Sequence, residues 1–166
     1  MEKLKLIWTI LFVVAFSTAS RAGDNVFSAS NATAAAGQEA VIDIMLDNVY
    51  EVNGLQFDIV LPEGIQLVTN DQGSPLVVPT ERTEGFSVIC KKLEPNRYRM
   101  MSLSFAGANV SGNAGLVLTV TVKCDAALKK GDRTILFDEV HLSYVDTALN
   151  KTDSKLPSFE AKVTVK

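Results

Sequence analysis

Apolar and polar residues alternate along most of the chain with a period of two. The clearest stretch is 116–124, where every second residue from Leu116 to Cys124 is apolar and Thr119, Thr121 and Lys123 occupy the other phase. This period is that of a strand with one buried side. Similar or shorter runs occur at 26–30, 40–46, 55–61, 65–68, 86–92, 98–105, 134–140, 142–145 and 159–165. The pattern predicts nine or ten strands.

Turn-forming residues separate these runs. Pro62-Glu63-Gly64, Glu94-Pro95-Asn96 and Lys130-Gly131-Asp132 are typical of the connections between short strands. No run of ten or more residues keeps a helical period, and no linker divides the chain. Residues 25–166 are therefore predicted to form one all-β domain with the architecture of a β-sandwich.

The amino terminus has a different character from the rest of the chain. A short basic region with Lys3 and Lys5 precedes an apolar core at 6–16, and small residues at Ser20 and Ala22 suit a cleavage site after Ala22. These are the marks of a secretory signal peptide over residues 1–22, and the core is too short for a permanent membrane anchor. We expect the remaining domain to be secreted or periplasmic.

Removal of this segment changes the charge of the domain. The segment holds three basic residues and one acidic residue, so its loss shifts the formal net charge from −3 to −5. A mildly acidic domain without a basic cluster lacks the electrostatic footprint of a nucleic-acid binder. Nucleic acid and anionic membrane surfaces are therefore excluded as partners.

Candidate catalytic chemistry is sparse. The single histidine, His141, follows Asp138 and Glu139 on a predicted strand, but no nucleophile or set of metal ligands accompanies it in the sequence. No phosphate loop and no singled-out pair of carboxylates is present. The sequence predicts no catalytic residue and no enzyme, although a metal-dependent hydrolase built around His141 is an alternative hypothesis.

Oxygen-rich turns offer candidate ligands for calcium. They lie at residues 70–72 and 146–153, and neither has the spacing of a dedicated calcium loop. No metal site and no cofactor is predicted, and calcium is kept as an alternative.

The two cysteines, Cys90 and Cys124, form an even pair in an exported chain, which permits a disulfide. Both lie in the apolar phase of predicted strands. The alternative is two buried thiols on separate strands, because a bridge requires Cα atoms within about 7 Å.

Few aromatic residues are candidates for stacking on a sugar. The only tryptophan, Trp8, lies in the predicted signal peptide, and most phenylalanines fall in the apolar phase of a strand. Tyr50, Tyr98 and Tyr144 are the candidates for glycan stacking.

The order of elements resembles a known family. Residues 36–44 and 52–65, and then 115–124, 130–132 and 135–140, follow the succession of strands and turns of a cohesin domain. The resemblance covers nearly all of residues 25–166. It implies a nine-stranded jelly-roll β-sandwich that holds a partner and does not transform a substrate.

The resemblance also implies a partner and a surface. Cohesins bind a dockerin on one sheet face, so a dockerin-like protein or a polysaccharide-associated partner in carbohydrate utilisation is expected, with direct glycan binding as the alternative. By this analogy the partner-binding face presents outward residues of the third, fifth and sixth strands, which are Gly54, Gln56, Asp58, Ser87, Ile89, Lys91, Ser102 and Ser104.

Overall fold

A computed structural model describes residues 25–166, which form twelve strands and one short 3₁₀ turn at Glu81–Thr83. The predicted signal peptide at 1–22 lies outside the described residues. In chain order the strands are β1 (Val26–Ala29), β2 (Ala32–Ala34), β3 (Glu39–Asp47), β4 (Glu51–Val60), β5 (Ile65–Leu67), β6 (Val77–Pro79), β7 (Ser87–Glu94), β8 (Arg97–Leu103), β9 (Leu116–Cys124), β10 (Gly131–Val145), β11 (Lys151–Lys155) and β12 (Phe159–Val165).

The strands form two sheets. The larger sheet has the order β2-β12-β10-β4-β8-β7, and β11 pairs with the second half of β10. The smaller sheet has the order β1-β3-β9-β5, and β6 also pairs with β9. Every pair is antiparallel except that of β12 with β2. The prediction of an all-β sandwich is confirmed.

The core lies between the sheets and is built from the buried phase of each strand. Alternate residues of β3, namely Ile42, Ile44 and Leu46, are fully buried, as the period-two pattern requires. Aromatic rings fill the centre: Phe57 meets Phe137 edge-on at 5.5 Å, and Phe137 stacks on Phe159 at 4.6 Å. Both are favourable arrangements of ring quadrupoles.

Two of the ten predicted runs belong to one strand. The runs at 134–140 and 142–145 are the two halves of β10, separated by a bulge between Asp138 and His141. At this bulge Glu139 has φ 46°, a conformation that is unusual for a residue other than glycine. The runs therefore correspond to nine strands of the structure, and the short strands β2, β6 and β11 were missed.

A single arginine fixes the loop that follows β8. Arg82 donates hydrogen bonds to the carbonyl oxygens of Leu46, Ser111, Gly112 and Gly115 at 2.6–3.1 Å, and to Asn48 Oδ1 at 2.6 Å. The planar guanidinium group has five N–H donors that point in different directions, which suits several acceptors placed around it. The side chain thereby joins the β6–β7 connection, the end of β3 and residues 111–115.

No helix within residues 25–166 has the length and apolar character needed to cross a membrane.

Candidate partner-binding face

The solvent side of the larger sheet, called the outer face below, follows from the strand register. Residues paired across neighbouring antiparallel strands point to the same side of a sheet. Two rows across β7, β8, β4, β10 and β11 define the centre of the outer face: Ser87, Leu103, Gly54, Ser143 and Asp153, and then Ile89, Met101, Gln56, His141 and Lys155. A third row holds Lys91, Arg99, Asp58 and Asp138.

Six of the eight residues predicted for the partner-binding face share this side of the sheet. They are Gly54, Gln56 and Asp58 on β4, and Ser87, Ile89 and Lys91 on β7. Whether they contact a partner stays a prediction.

The placement of Ser102 on this face is wrong. Ser102 pairs with Leu55 and Val88, which point toward the other sheet, and it is fully buried with no hydrogen-bond partner for its Oγ among the described residues. Ser104 lies just beyond β8, and its Oγ accepts a hydrogen bond from the Ala108 N–H at 2.7 Å. Both phases of β8 contain apolar residues, so the pattern alone gave the wrong side.

A charged cluster lies in the third row of the outer face. Asp58 is 1% exposed, and its carboxylate accepts hydrogen bonds from Arg99 Nε at 2.7 Å, Arg99 Nη2 at 3.0 Å and Arg97 Nη1 at 2.9 Å. Arg97 also approaches Asp138 at 3.7 Å. The arginines remain partly exposed, so the buried carboxylate fixes two cations at the surface.

The cluster determines the ionisation of Asp58. Burial by itself would raise the pKa of the Asp58 carboxyl, but the hydrogen bonds and charges of Arg99 and Arg97 outweigh it and hold the pKa below its ordinary value. Sequence reasoning missed both arginines. The signal was available, because an acidic residue amid the buried residues of β4 requires a cationic neighbour.

Apolar side chains lie beside this cluster. Ile89 is 43% exposed, and Met101 and Leu103 are half-buried next to Gln56. The outer face therefore combines an apolar centre with charged groups along one side, which is the composition of many protein interfaces.

His141 lies between two carboxylates. Its Nε2 is 3.9 Å from Glu139 Oε2 and its Nδ1 is 3.8 Å from Asp153 Oδ1, while Glu139 accepts hydrogen bonds from Lys155 Nζ at 2.9 and 3.0 Å. No group of three or more histidine, cysteine or acidic residues in the range 25–166 is arranged to hold a metal. The surroundings of His141 are those of a surface charge network.

The oxygen-rich turns use their side chains internally. Asp146 accepts hydrogen bonds from the N–H groups of Ala148 and Asn150 at 2.8 and 2.9 Å, and Asn70 Oδ1 accepts from those of Gln72 and Ser74 at 3.0 Å. These bonds stabilise the turns, and they account for the composition that suggested calcium.

The three tyrosines do not form one platform. The rings of Tyr50 and Tyr144 stack on each other at 4.8 Å, and the Tyr144 hydroxyl is 3.0 Å from Ser154 Oγ. Tyr98 pairs with Ile59 on β4, whereas Tyr144 pairs with Val52 at the other end of that strand, roughly 20 Å away at the rise of a strand.

The two cysteines are not bridged. Cys124 is buried on β9 of the smaller sheet, and Cys90 is half-buried on β7 of the larger sheet. Both thiols are free, so the candidate disulfide is not formed. Burial raises the pKa of the Cys90 thiol to about 11, which keeps it protonated at neutral pH.

Comparison with protein-family models and with curated proteins finds no match to the sequence. Among solved structures, the seventh ScaB type I cohesin of Pseudobacteroides cellulosolvens superposes with a TM-score of 0.65 and 19% identity, over 84% of this chain and 92% of that one. A non-cellulosomal cohesin of the archaeon Archaeoglobus fulgidus has a TM-score of 0.63 and 12% identity, over 86% and 91%. The OlpA cohesin in a type I cohesin–dockerin complex of Clostridium thermocellum has values of 0.65 and 16%, over 86% and 99%. The chain therefore has the fold of a cohesin module.

Proposed function

We propose that this protein is an exported, non-catalytic module that holds a dockerin-like protein on its outer face. The observation that carries the proposal is the outer face itself, where exposed Ile89 and the half-buried side chains of Met101 and Leu103 adjoin two arginines fixed by a buried carboxylate. Interfaces are enriched in arginine and methionine, and their strongest contacts come from well-ordered side chains.

The structural neighbours support a protein partner. The OlpA cohesin of Clostridium thermocellum was solved in a complex with a dockerin, as was the third ScaC cohesin of Acetivibrio cellulolyticus. Identities of 16% and 14% carry the fold and not the partner, so dockerin recognition by this chain is our proposal.

A role in carbohydrate utilisation is part of the proposal. One neighbour is a cohesin module of a family 33 glycoside hydrolase from Clostridium perfringens, and another belongs to the cell-surface anchoring scaffoldin ScaE of Ruminococcus flavefaciens. Export through the predicted signal peptide at 1–22 would bring this chain to the compartment where such assemblies act. A polysaccharide-associated partner is proposed on the same grounds.

The test is a capture experiment with a matched pair of charge substitutions. Ile89→Asp places a charge in the apolar centre of the outer face, and Val41→Asp makes the same change on the smaller sheet, at a residue with 53% exposure against 43%. We expect an immobilised panel of dockerin modules to capture the wild type and Val41→Asp. Ile89→Asp should weaken capture at least about tenfold, since a buried unpaired charge is costly at an interface.

Two results would overturn the proposal. In one, no dockerin module captures the wild-type chain. In the other, capture occurs but Ile89→Asp and Val41→Asp behave alike, which would place the contact elsewhere on the molecule.

A further inference from the structure

An open depression lies where the outer face meets the loop after β8. Its volume is about 570 Å³, and it is here called the Phe105 depression; its wall consists of Asn53, Leu103, Ser104, Phe105, Gly107, Ser143, Tyr144, Lys151, Thr152 and Asp153. This volume is within the range of small-molecule sites.

Gly54 lies between two residues of this wall. A Cβ atom at this position would lie 3.0 Å from Leu103 Cδ2 and 3.2 Å from the Cβ of Ser143, which leaves no room for a side chain between them. Leu103 and Ser143 flank Gly54 in the first row of the outer face. The absence of a side chain at Gly54 thus lets Leu103 and Ser143, which both belong to the wall, pack closely over this position.

Phe105 stands on the wall of the depression with 79% of its surface exposed. Its backbone is fixed on both sides, because the Ser104 N–H donates to the Asn53 carbonyl at 3.3 Å and the Ala108 N–H donates to Ser104 Oγ at 2.7 Å. The sequence pattern assigns Phe105 to the buried phase of a strand, but β8 ends at Leu103. A phenyl ring on an anchored turn offers a flat apolar surface at low entropic cost.

The rest of the wall is rich in hydrogen-bonding groups. Asn53 and Thr152 supply donors and acceptors, as does Ser143, and Lys151 and Asp153 add a cation and an anion. Among the side-chain hydrogen bonds of the described residues, those in this wall involve Ser104 and Tyr144 and leave Asn53, Ser143, Lys151 and Thr152 unengaged. The wall therefore has free hydrogen-bonding capacity and no net charge.

These features select one class of ligand. A sugar ring has an apolar C–H face that matches an exposed phenyl ring, and its hydroxyl groups both donate and accept, as this mixed wall requires. An anionic or cationic ligand would meet a repelling charge at Asp153 or Lys151 as well as an attracting one. We propose that the Phe105 depression binds a neutral oligosaccharide, with Phe105 against one sugar ring and the polar wall bonded to its hydroxyl groups.

The inference goes beyond the proposed dockerin role and is tested with different probes. The full chain is run in native gels that contain hydroxyethylcellulose, xylan, galactomannan or, as an acidic probe, polygalacturonate. Oligomers of any retarding polymer are then titrated by calorimetry. Phe105→Ala is compared with Leu149→Ala, which removes an equally exposed apolar side chain in the turn between β10 and β11, 84% exposed against 79%.

We expect retardation by at least one neutral polymer. Phe105→Ala should lower the association constant about tenfold or more, Phe105→Trp should preserve it, and Leu149→Ala should leave it unchanged. Since Phe105 is mostly exposed, both alanine variants should retain the wild-type circular dichroism spectrum and melting temperature.

Several results would overturn this inference. One is that no neutral polymer retards the chain. Another is that Phe105→Ala leaves the retardation unchanged, and a third is that polygalacturonate alone retards the chain. Loss of dockerin capture in Phe105→Ala without any sugar binding would assign the depression to the protein-binding face instead. Ile89→Asp should weaken dockerin capture at least about tenfold and spare sugar binding, so the two proposals fail separately.

Discussion

The connection made by Arg82 leads to the largest effect that we expect from a surface substitution. Its guanidinium donates five hydrogen bonds to oxygen acceptors on two segments distant from its own, and none of these acceptors is a carboxylate. Burial lowers the pKa of Arg82, and the charge of Asp47 opposes this effect. The charged side chain therefore holds these segments together through hydrogen bonds to backbone carbonyl oxygens and to one side-chain amide oxygen.

The magnitude follows from the number of bonds and their exposure. A hydrogen bond from a charged donor contributes about 1.5 to 3 kcal/mol. Arg82 is partly exposed, so water replaces some of the bonds in a variant and the contributions do not add in full. We expect Arg82→Met to lower the free energy of unfolding by about 3 to 4 kcal/mol, which for a chain of this size lowers the melting temperature by roughly 10 °C.

Urea unfolding followed by far-ultraviolet circular dichroism measures this difference. The matched control is Arg133→Met, because Arg133 donates only to the nearby carbonyl groups of Asp132 and Lys129 and joins no distant segments. The control should lose less than about 1 kcal/mol. Equal losses of unfolding free energy in the two variants, or a loss below about 1 kcal/mol in Arg82→Met, would refute this stabilising role of Arg82.

Three further predictions concern the buried groups. The pKa of Asp58 is lowered in the folded state, so this group stabilises the fold at neutral pH and loses that contribution as pH falls below about 4 toward the folded pKa. Asp58→Asn should lower the free energy of unfolding at pH 7 by about 2 to 3 kcal/mol, and this free energy should then fall less steeply in acid than that of the wild type. An unchanged dependence on acid pH would count against the ion cluster. Phe137→Ala should cost about 3 to 5 kcal/mol in calorimetric or urea unfolding, since the ring is fully buried between Phe57 and Phe159; a loss below about 1 kcal/mol would contradict this packing. Cys90 and Cys124 are free, so dithiothreitol should leave the melting temperature unchanged. Mass spectrometry after alkylation under denaturing conditions should find two modified thiols. A mass consistent with a disulfide bridge would contradict this prediction.

Local sequence patterns were sufficient to find most strands. Alternation is a property of neighbouring residues, and nine strands of the structure were recognised from it. The three missed strands, β2 (Ala-Thr-Ala), β6 (Val-Val-Pro) and β11 (Lys-Thr-Asp-Ser-Lys), are short and do not alternate large apolar with polar residues. Their pairing is decided by neighbouring strands that are distant in sequence.

The side of the sheet that a residue faces was predictable only where one phase of the strand is polar. On β7 the serine, isoleucine and lysine of the outer face were assigned correctly, whereas on β8 Ser102 was placed on the wrong side. The residues that do face outward there are Arg99, Met101 and Leu103. Only the register with β4 distinguishes the two phases, because both contain apolar side chains.

The sequence by itself determined the all-β class and the small number of candidate catalytic groups, and it gave rise to the expectations of a single domain and of export, since each of these depends on composition or on neighbouring residues. The tertiary structure decided which groups meet and which do not: the two arginines on buried Asp58, the separation of Cys90 from Cys124, and the exposure of Phe105 on the wall of a depression. These contacts join strands that are far apart in the chain, and their geometry depends on register, on the bulge in β10 and on where each strand ends. Such quantities are set by the packing of the whole sandwich and not by any local stretch of sequence.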